Sequence, residues 1–197
     1  MSIQIYKPNS KNTGSAYTFS QSTSKTNGEP VFYISAIAQH SWNDEKKTGS
    51  FAGNSKNPEK TINVKITPNE AGEFISSFTD RRDFNTFHSY GGSNTTIKLS
   101  PWDKQGKISK YNASTKSFQD EKLILPCFGI TLSKGKSNSI KIALDPGEIE
   151  IVKSSLNLFL QGYIKFKSSE QRNYNQEPSS QGSEAGDTEL EGEEAPF

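Results

Sequence analysis

Chemistry at neutral pH most often recruits histidine or cysteine, and this chain has two histidines, His40 and His88, and one cysteine, Cys127. Neither histidine has a neighbour at metal-ligand spacing, and no CxxC or HxxxH pattern occurs. The stretch LSKGKSNS invites comparison with a phosphate-binding loop, GxxxxGK[ST]. Gly129 and Gly135 are one residue too far apart for that motif. The segment after Ser137 also reads as a strand, so no helix N-terminus would face a phosphate. The expectation is a protein that is not an enzyme and needs no cofactor or metal.

A second kind of chemistry is better supplied. Holding a single nucleic-acid strand without regard to sequence takes cations that follow the phosphates and flat rings on which bases stack. Lys11 lies near Tyr17 and Phe19; Trp42, Lys46, Lys47 and Phe51 form a second cluster; Trp102, Lys104, Lys107, Lys110 and Tyr111 form a third. Lys134, Lys136 and Lys141 add charge around the last hairpin. In VFYISAIAQ, strand alternation puts Phe32, Ile34, Ala36 and Ala38 on a core-facing side. Tyr33, Ser35, Ile37 and Gln39 fall on the opposite side, which suits stacking and hydrogen bonding. Phe32, Phe74, Phe78 and Phe159 read as core, whereas Trp42 and Trp102 sit in polar, Lys-rich segments that read as exposed loops. The expected nucleic-acid contacts are Lys11, Tyr17, Tyr33, Trp42, Lys46, Lys47, Phe51, Trp102, Lys104, Lys107, Tyr111, Lys134 and Lys136. No recognition helix, zinc knuckle or basic zipper region is visible, which disfavours duplex readout.

Charge is segregated along the chain. From Gln176 onward there are seven acidic residues and no Lys or Arg. Removing those seven from the 22 acids leaves 15 against 23 basic residues in the rest, a body of net charge +8. A basic body with an acidic tail fits a polyanion-binding surface and a tail that competes for it or recruits partners. The single cysteine excludes an internal disulfide framework and fits a reducing compartment. No apolar run is long enough to span a membrane, and the N-terminal stretch lacks a signal peptide's apolar segment. A cytoplasmic protein of a bacterial cell or phage-infected host is the expectation.

The elements that must position these residues include an internal repeat. TINVKITPNEAGEFISSF, from Thr61, aligns without a gap on SIKIALDPGEIEIVKSSL, from Ser139, at a displacement of 78 residues. Ile62, Val64 and Ile66 fall on Ile140, Ile142 and Leu144, alternating as a half-buried strand does. Thr67-Pro68-Asn69-Glu70 falls on Asp145-Pro146-Gly147-Glu148, and both read as helix starts with a cap, a proline and a returning glutamate. Helical spacing comes next, through Ala71, Phe74, Ile75 and Phe78 in one copy and Ile149, Val152, Leu156, Phe159, Leu160 and Tyr163 in the other. Strand-like runs precede each helix: 16–19, 31–39, 47–52 and 61–67, then 84–90, 95–100, 123–132 and 139–144. The reading is α+β: two antiparallel four-stranded sheets, each followed by a helix. The body spans 1–166, with pseudo-repeats at about 11–80 and 84–166, and 167–197 is expected to be a disordered acidic tail.

This layout resembles that of the Whirly single-stranded-DNA-binding proteins, and half of it resembles the transcriptional coactivator positive cofactor four, which dimerises to complete it. SWNDEKKTGSF, NVKITPNEAGEFISSFTDRRDFNTFHSY, TTIKLSPWD and KIALDPGEIEIVKSSLNLFLQGYI carry the resemblance, which covers residues 6–166. The plant family's short basic-and-alanine motif has no clear counterpart here; KKTGSF sits nearest. The resemblance implies single-stranded DNA lying along the edge between sheets of neighbouring subunits. One body offers only a short path for DNA, so a homodimer or homotetramer is the expectation. The last residues, GDTELEGEEAPF, are similar to the tail of bacterial single-strand-binding proteins. That likeness implies capture of replication proteins by Glu191, Glu193, Glu194, Pro196 and Phe197. The leading expectation is a single-stranded-DNA-binding protein of replication or recombination. A transcription-associated or RNA-binding protein of the same fold, and an assembly protein that binds no nucleic acid, are the competing readings.

Overall fold

The computed structural model describes residues 2–90, 92–135 and 138–176. In chain order the elements begin with β1 (Ser2–Lys7), β2 (Ser15–Thr23), β3 (Pro30–Ala38), β4 (Ser41–Asn43), β5 (Thr48–Ser50), β6 (Thr61–Ile66) and α1 (Pro68–Asp80). The second half holds β7 (Phe84–Tyr90), β8 (Ser93–Asn112), β9 (Ser117–Lys134), β10 (Asn138–Leu144) and α2 (Pro146–Gln176). One antiparallel sheet has the order β1-β2-β3-β6, and the other β10-β9-β8-β7. The fold is therefore α+β with two four-stranded sheets, each followed by a helix.

Three details differ from the sequence reading. The run 47–52 is not the first sheet's fourth strand; β1 fills that place, and β4 and β5 pair with each other as a separate small ribbon. Short alternating runs of this kind carry no information about which strand they will join. The segment between 100 and 123, read as loop, is strand: β8 and β9 stay paired from Thr95–Lys134 out to Asn112–Ser117. Helix α2 also continues to Gln176, past the boundary placed at 166, while residues 177–197 lie outside the described ones.

The repeated strand–turn–helix unit is present in both halves, and local chemistry explains it. Thr67 Oγ1 accepts from the Glu70 N–H at 3.2 Å, while the Thr67 N–H donates to Glu70 Oε2 at 2.8 Å, a complete capping box. Pro68 opens the helix, where its missing N–H costs nothing, and Arg81 ends it in the left-handed region at φ 52°. At α2 only half of the box recurs: the Asp145 N–H donates to Glu148 Oε2 at 2.8 Å. The Asp145 carboxylate turns instead to Lys7 and Lys104, each 2.9 Å away.

One core joins the inner faces of both sheets to the apolar stripes of both helices. Ile5, Tyr17, Phe19, Phe32, Ile34 and Val64 come from the first sheet, and Ile97, Leu99, Ile130, Leu132 and Ile142 from the second. Phe74 and Phe78 of α1, with Val152, Leu156 and Phe159 of α2, complete it. Each such side chain, fully buried, contributes about 1.5–3 kcal/mol. Tyr17 links the sheets through its hydroxyl. It donates to the Ile140 carbonyl at 2.6 Å and accepts from the Leu132 N–H at 3.3 Å.

Candidate nucleic-acid interface

The registers decide which side chains face away from the core. On the first sheet the outward rows are Tyr6–Ala16–Ile37–Thr61, Gln4–Thr18–Ser35–Asn63 and Ser2–Ser20–Tyr33–Lys65. On the second they include Phe87–Thr96–Ser133–Ser139 and Asn85–Lys98–Thr131–Lys141. No Asp or Glu stands at any of these outward positions. Lys65, Lys98 and Lys141 are exposed, and none has an ion-pair partner among the described residues. Among the described residues the acidic side chains lie elsewhere, on the helices, in the turns and on the outer parts of β8 and β9. Two acid-free faces bearing amides, hydroxyls and unpaired ammonium groups are suited to phosphates.

Rings stand on both faces. Tyr6 is 52% exposed, and its ring lies 5.7 Å from that of Phe51, which follows β5. Tyr33 is half-buried two rows away, about 13 Å along the strand direction at two residues per row. Phe87 on the second sheet is 60% exposed, an uncommon position for a phenylalanine unless something covers it. Where the sheets meet, a groove of about 300 Å³ is lined by Asn12, Thr13, Ser15, Ala38, Ser139 and Lys141.

The sequence-predicted residues fall into separate groups. Trp42, Lys46, Lys47 and Phe51 do come together on the β4–β5 ribbon, with Lys46 and Lys47 exposed in its turn. Lys47 adopts φ 51°, and the Trp42 indole N–H donates to Asp44 Oδ1 at 3.1 Å. Tyr33 shares its outward face with Tyr6. Lys11 is exposed in the turn after β1, and Lys134 at the end of β9. Trp102, Lys104, Lys107 and Tyr111 lie on the long β8–β9 ribbon, where β8 and β9 run on beyond their pairing with β7 and β10. Lys136 and the tail residues Glu191, Glu193, Glu194, Pro196 and Phe197 lie outside the described residues.

Tyr17 is a correction. It is fully buried, and burial pushes its phenol well above the usual range, so no base can reach its ring. Tyr17 and Phe19 are two apart in one strand and must share a face; the small residues Ala16, Thr18 and Ser20 take the other. Gln39 is also withdrawn from the surface. Its side chain accepts from the Asn9 N–H and donates to the Asn9 and Ser41 carbonyls, bracing the turn between β1 and β2.

Several cations are already engaged. Lys104 Nζ meets Asp145, whose carboxyl is held down to about 2 by hydrogen bonds from Lys104 and Lys7. Lys7 also reaches Glu148 at 2.7 Å. On β7, His88 Nε2 stands 2.8 Å from Glu70 Oε1, and Thr86 donates to the same oxygen at 2.6 Å. Burial works against the Glu70 carboxylate, but the Thr67 and Thr86 hydrogen bonds and His88 outweigh it and lower its pKa. Among the described residues no group of three His, Cys, Asp or Glu is placed to hold a metal ion. None of the helices among them is long and apolar enough to cross a membrane.

Sequence reasoning missed Tyr6, Lys65, Phe87 and Lys98, and named Lys141 only as charge around the last hairpin rather than as part of a face shared with Lys98. Each lies on an alternating strand, but only the register brings Phe87 beside Thr96 and Lys98 level with Lys141.

No family model and no curated protein matches the chain. Among solved structures, WHY1 from Arabidopsis thaliana matches at a TM-score of 0.52 and 13% identity, over 89% of this chain and 91% of that one. The fold is Whirly-like. The plant transcriptional regulator PBF-2 is a further match, with a TM-score of 0.49 and 12% identity over 87% and 94% of the two chains. The Whirly-like body accounts for both sheets and both helices, and at this identity the likeness concerns the fold alone.

Proposed function

We propose that this protein binds single-stranded DNA with little sequence preference, protecting exposed strands during replication or recombination, and that it acts by binding rather than catalysis. The observation that carries the reading is the pair of outward sheet faces whose described rows hold no acidic residue. They bear Tyr6, Tyr33 and Phe87 beside Lys65, Lys98 and Lys141, which are unpaired among the described residues. Rings on a flat polar face give sequence-tolerant stacking, and lysines follow the phosphates. A Whirly-like fold supports the same reading. One body offers a short path for a strand, so the protein works as a homodimer or homotetramer.

The acidic tail recruits replication proteins through Pro196 and Phe197 and competes with DNA for the basic body. Removing the last two residues then spares DNA binding and abolishes recruitment, whereas removing the seven acids tightens DNA binding. The test of the core reading is retention of labelled oligo-dT by the full chain, compared with RNA and duplex of equal length. Binding should weaken steeply with salt. Absence of oligo-dT retention at low salt overturns the proposal.

A further inference from the structure

We propose that the outer β8–β9 ribbon is a second nucleic-acid contact, an arm whose tip rings stack on the end of a duplex where it opens into a single strand. The inference rests on the nucleic-acid reading above and extends it to a particular substrate, the single-strand–duplex junction.

The arm leaves the body at Pro101 and Pro126. Two ion pairs tether its base on opposite faces, Asp103 to Arg81 at 2.7 Å and Lys104 to Asp145 at 2.9 Å. From Trp102–Cys127 to Asn112–Ser117 the ribbon is eleven residue pairs long, roughly 35 Å at the rise of a strand. Nucleotides at its tip are therefore not those lying on the sheets. A two-stranded ribbon is marginally stable by itself, so residues on it that weaken it further call for another explanation.

One face of the arm carries such residues. Lys107 stands directly opposite Lys122, a cross-strand arrangement of like charges that opposes pairing. Lys107 is partly compensated by an ion pair to Asp120 at 3.6 Å, whereas Lys122 has no ion-pair partner among the described residues. Two rows further out on the same face, Tyr111 is paired with Phe118. Their rings are 5.4 Å apart in a T-shape, yet 58% and 73% exposed. Lys116, in the left-handed region at φ 49°, completes the turn. Between residues 103 and 126 the arm holds five lysines against three acids.

An exposed ring pair at the tip, with a repelling lysine pair behind it, fits a polyanion that offers a flat apolar surface. The terminal base pair of a duplex supplies that surface, and its phosphates relieve the lysine pair. A second copy of this face would bring more lysines together, which argues against self-association.

The test uses the full chain and three probes: oligo-dT, a blunt hairpin duplex, and the same hairpin extended by a dT strand, with 2-aminopurine in its last base pair. The expected result is tighter binding to the junction than to oligo-dT by about tenfold, with quenching of the 2-aminopurine as the rings stack on its base pair. Replacing Tyr111→Ala and Phe118→Ala together should keep oligo-dT affinity within about twofold while removing both junction effects. Lys122→Gln, which removes the repulsion and leaves the Lys107–Asp120 ion pair in place, should reduce junction affinity and its salt dependence. Unchanged 2-aminopurine with the native protein overturns the proposal, as does native junction binding by both variants. A change in subunit number without a change in DNA binding also overturns it, and assigns the face to a second copy. Loss of oligo-dT binding with junction quenching retained would sink the sheet-face reading instead.

Discussion

Tyr17→Phe separates a structural tyrosine from a binding one. The substitution keeps the ring in place among Phe19 and its core neighbours and deletes a single oxygen. That oxygen is within hydrogen-bond distance of three main-chain groups: the Ile140 carbonyl at 2.6 Å, the Ile130 carbonyl at 3.3 Å and the Leu132 N–H at 3.3 Å. The site is closed to water, so the groups left behind gain no solvent partner. Leaving a buried polar group unsatisfied costs about 1–3 kcal/mol. For a domain of this size each kcal/mol lowers Tm by about 2–4 °C, so the expected drop is roughly 2–12 °C. Thermal unfolding followed by near-ultraviolet circular dichroism measures it. Oligo-dT affinity at a temperature where both proteins are folded should not change. Tyr33→Ala should do the reverse, with a small effect on Tm and oligo-dT binding weakened roughly 5- to 150-fold, the equivalent of one lost base–ring stack. If Tyr17→Phe melts with the native protein, or if it loses oligo-dT affinity, the assignment of Tyr17 to the inter-sheet core is wrong.

Three further outcomes can be measured. Lys98→Gln with Lys141→Gln should leave Tm nearly unchanged and reduce the slope of log K against log salt for oligo-dT by about 1.4, two single-strand phosphate contacts; an unchanged slope removes that face from the interface. Thr67→Ala deletes one half of the α1 capping box and should cost about 1 kcal/mol in urea unfolding. Asp145 has a folded-state pKa depressed to about 2, so its contribution to stability is present above its ordinary carboxylate value and is lost as pH falls toward 2. Asp145→Asn should flatten acid unfolding across that window and speed tryptic cleavage at Lys107 and Lys110 by releasing the arm's base; equal cleavage rates would show that the Lys104 tether does not hold the arm.

The repeated unit was legible in the sequence because the interactions that make it are local. A cap, a proline and a returning glutamate lie within four residues of one another, and the apolar spacing after them needs only its own helix. The long arm has a local trace too, although its polar composition reads as loop. NASTKS closes the β8–β9 ribbon as NDEKKT closes β4–β5, each with an asparagine at the start and a left-handed lysine near the end. Parity within β2 likewise places Tyr17 with Phe19. By itself, then, the sequence determined the two capped helices, the alternating strands that feed them, and the division into a basic body and an acidic tail. Tertiary structure alone decided that β1 rather than 47–52 completes the first sheet, and that Phe87, Lys98 and Lys141 share one acid-free face. Side-chain alternation assigns a residue to one of two faces, but which face meets the core, and which residues lie level across strands, depends on pairing partners tens of residues away.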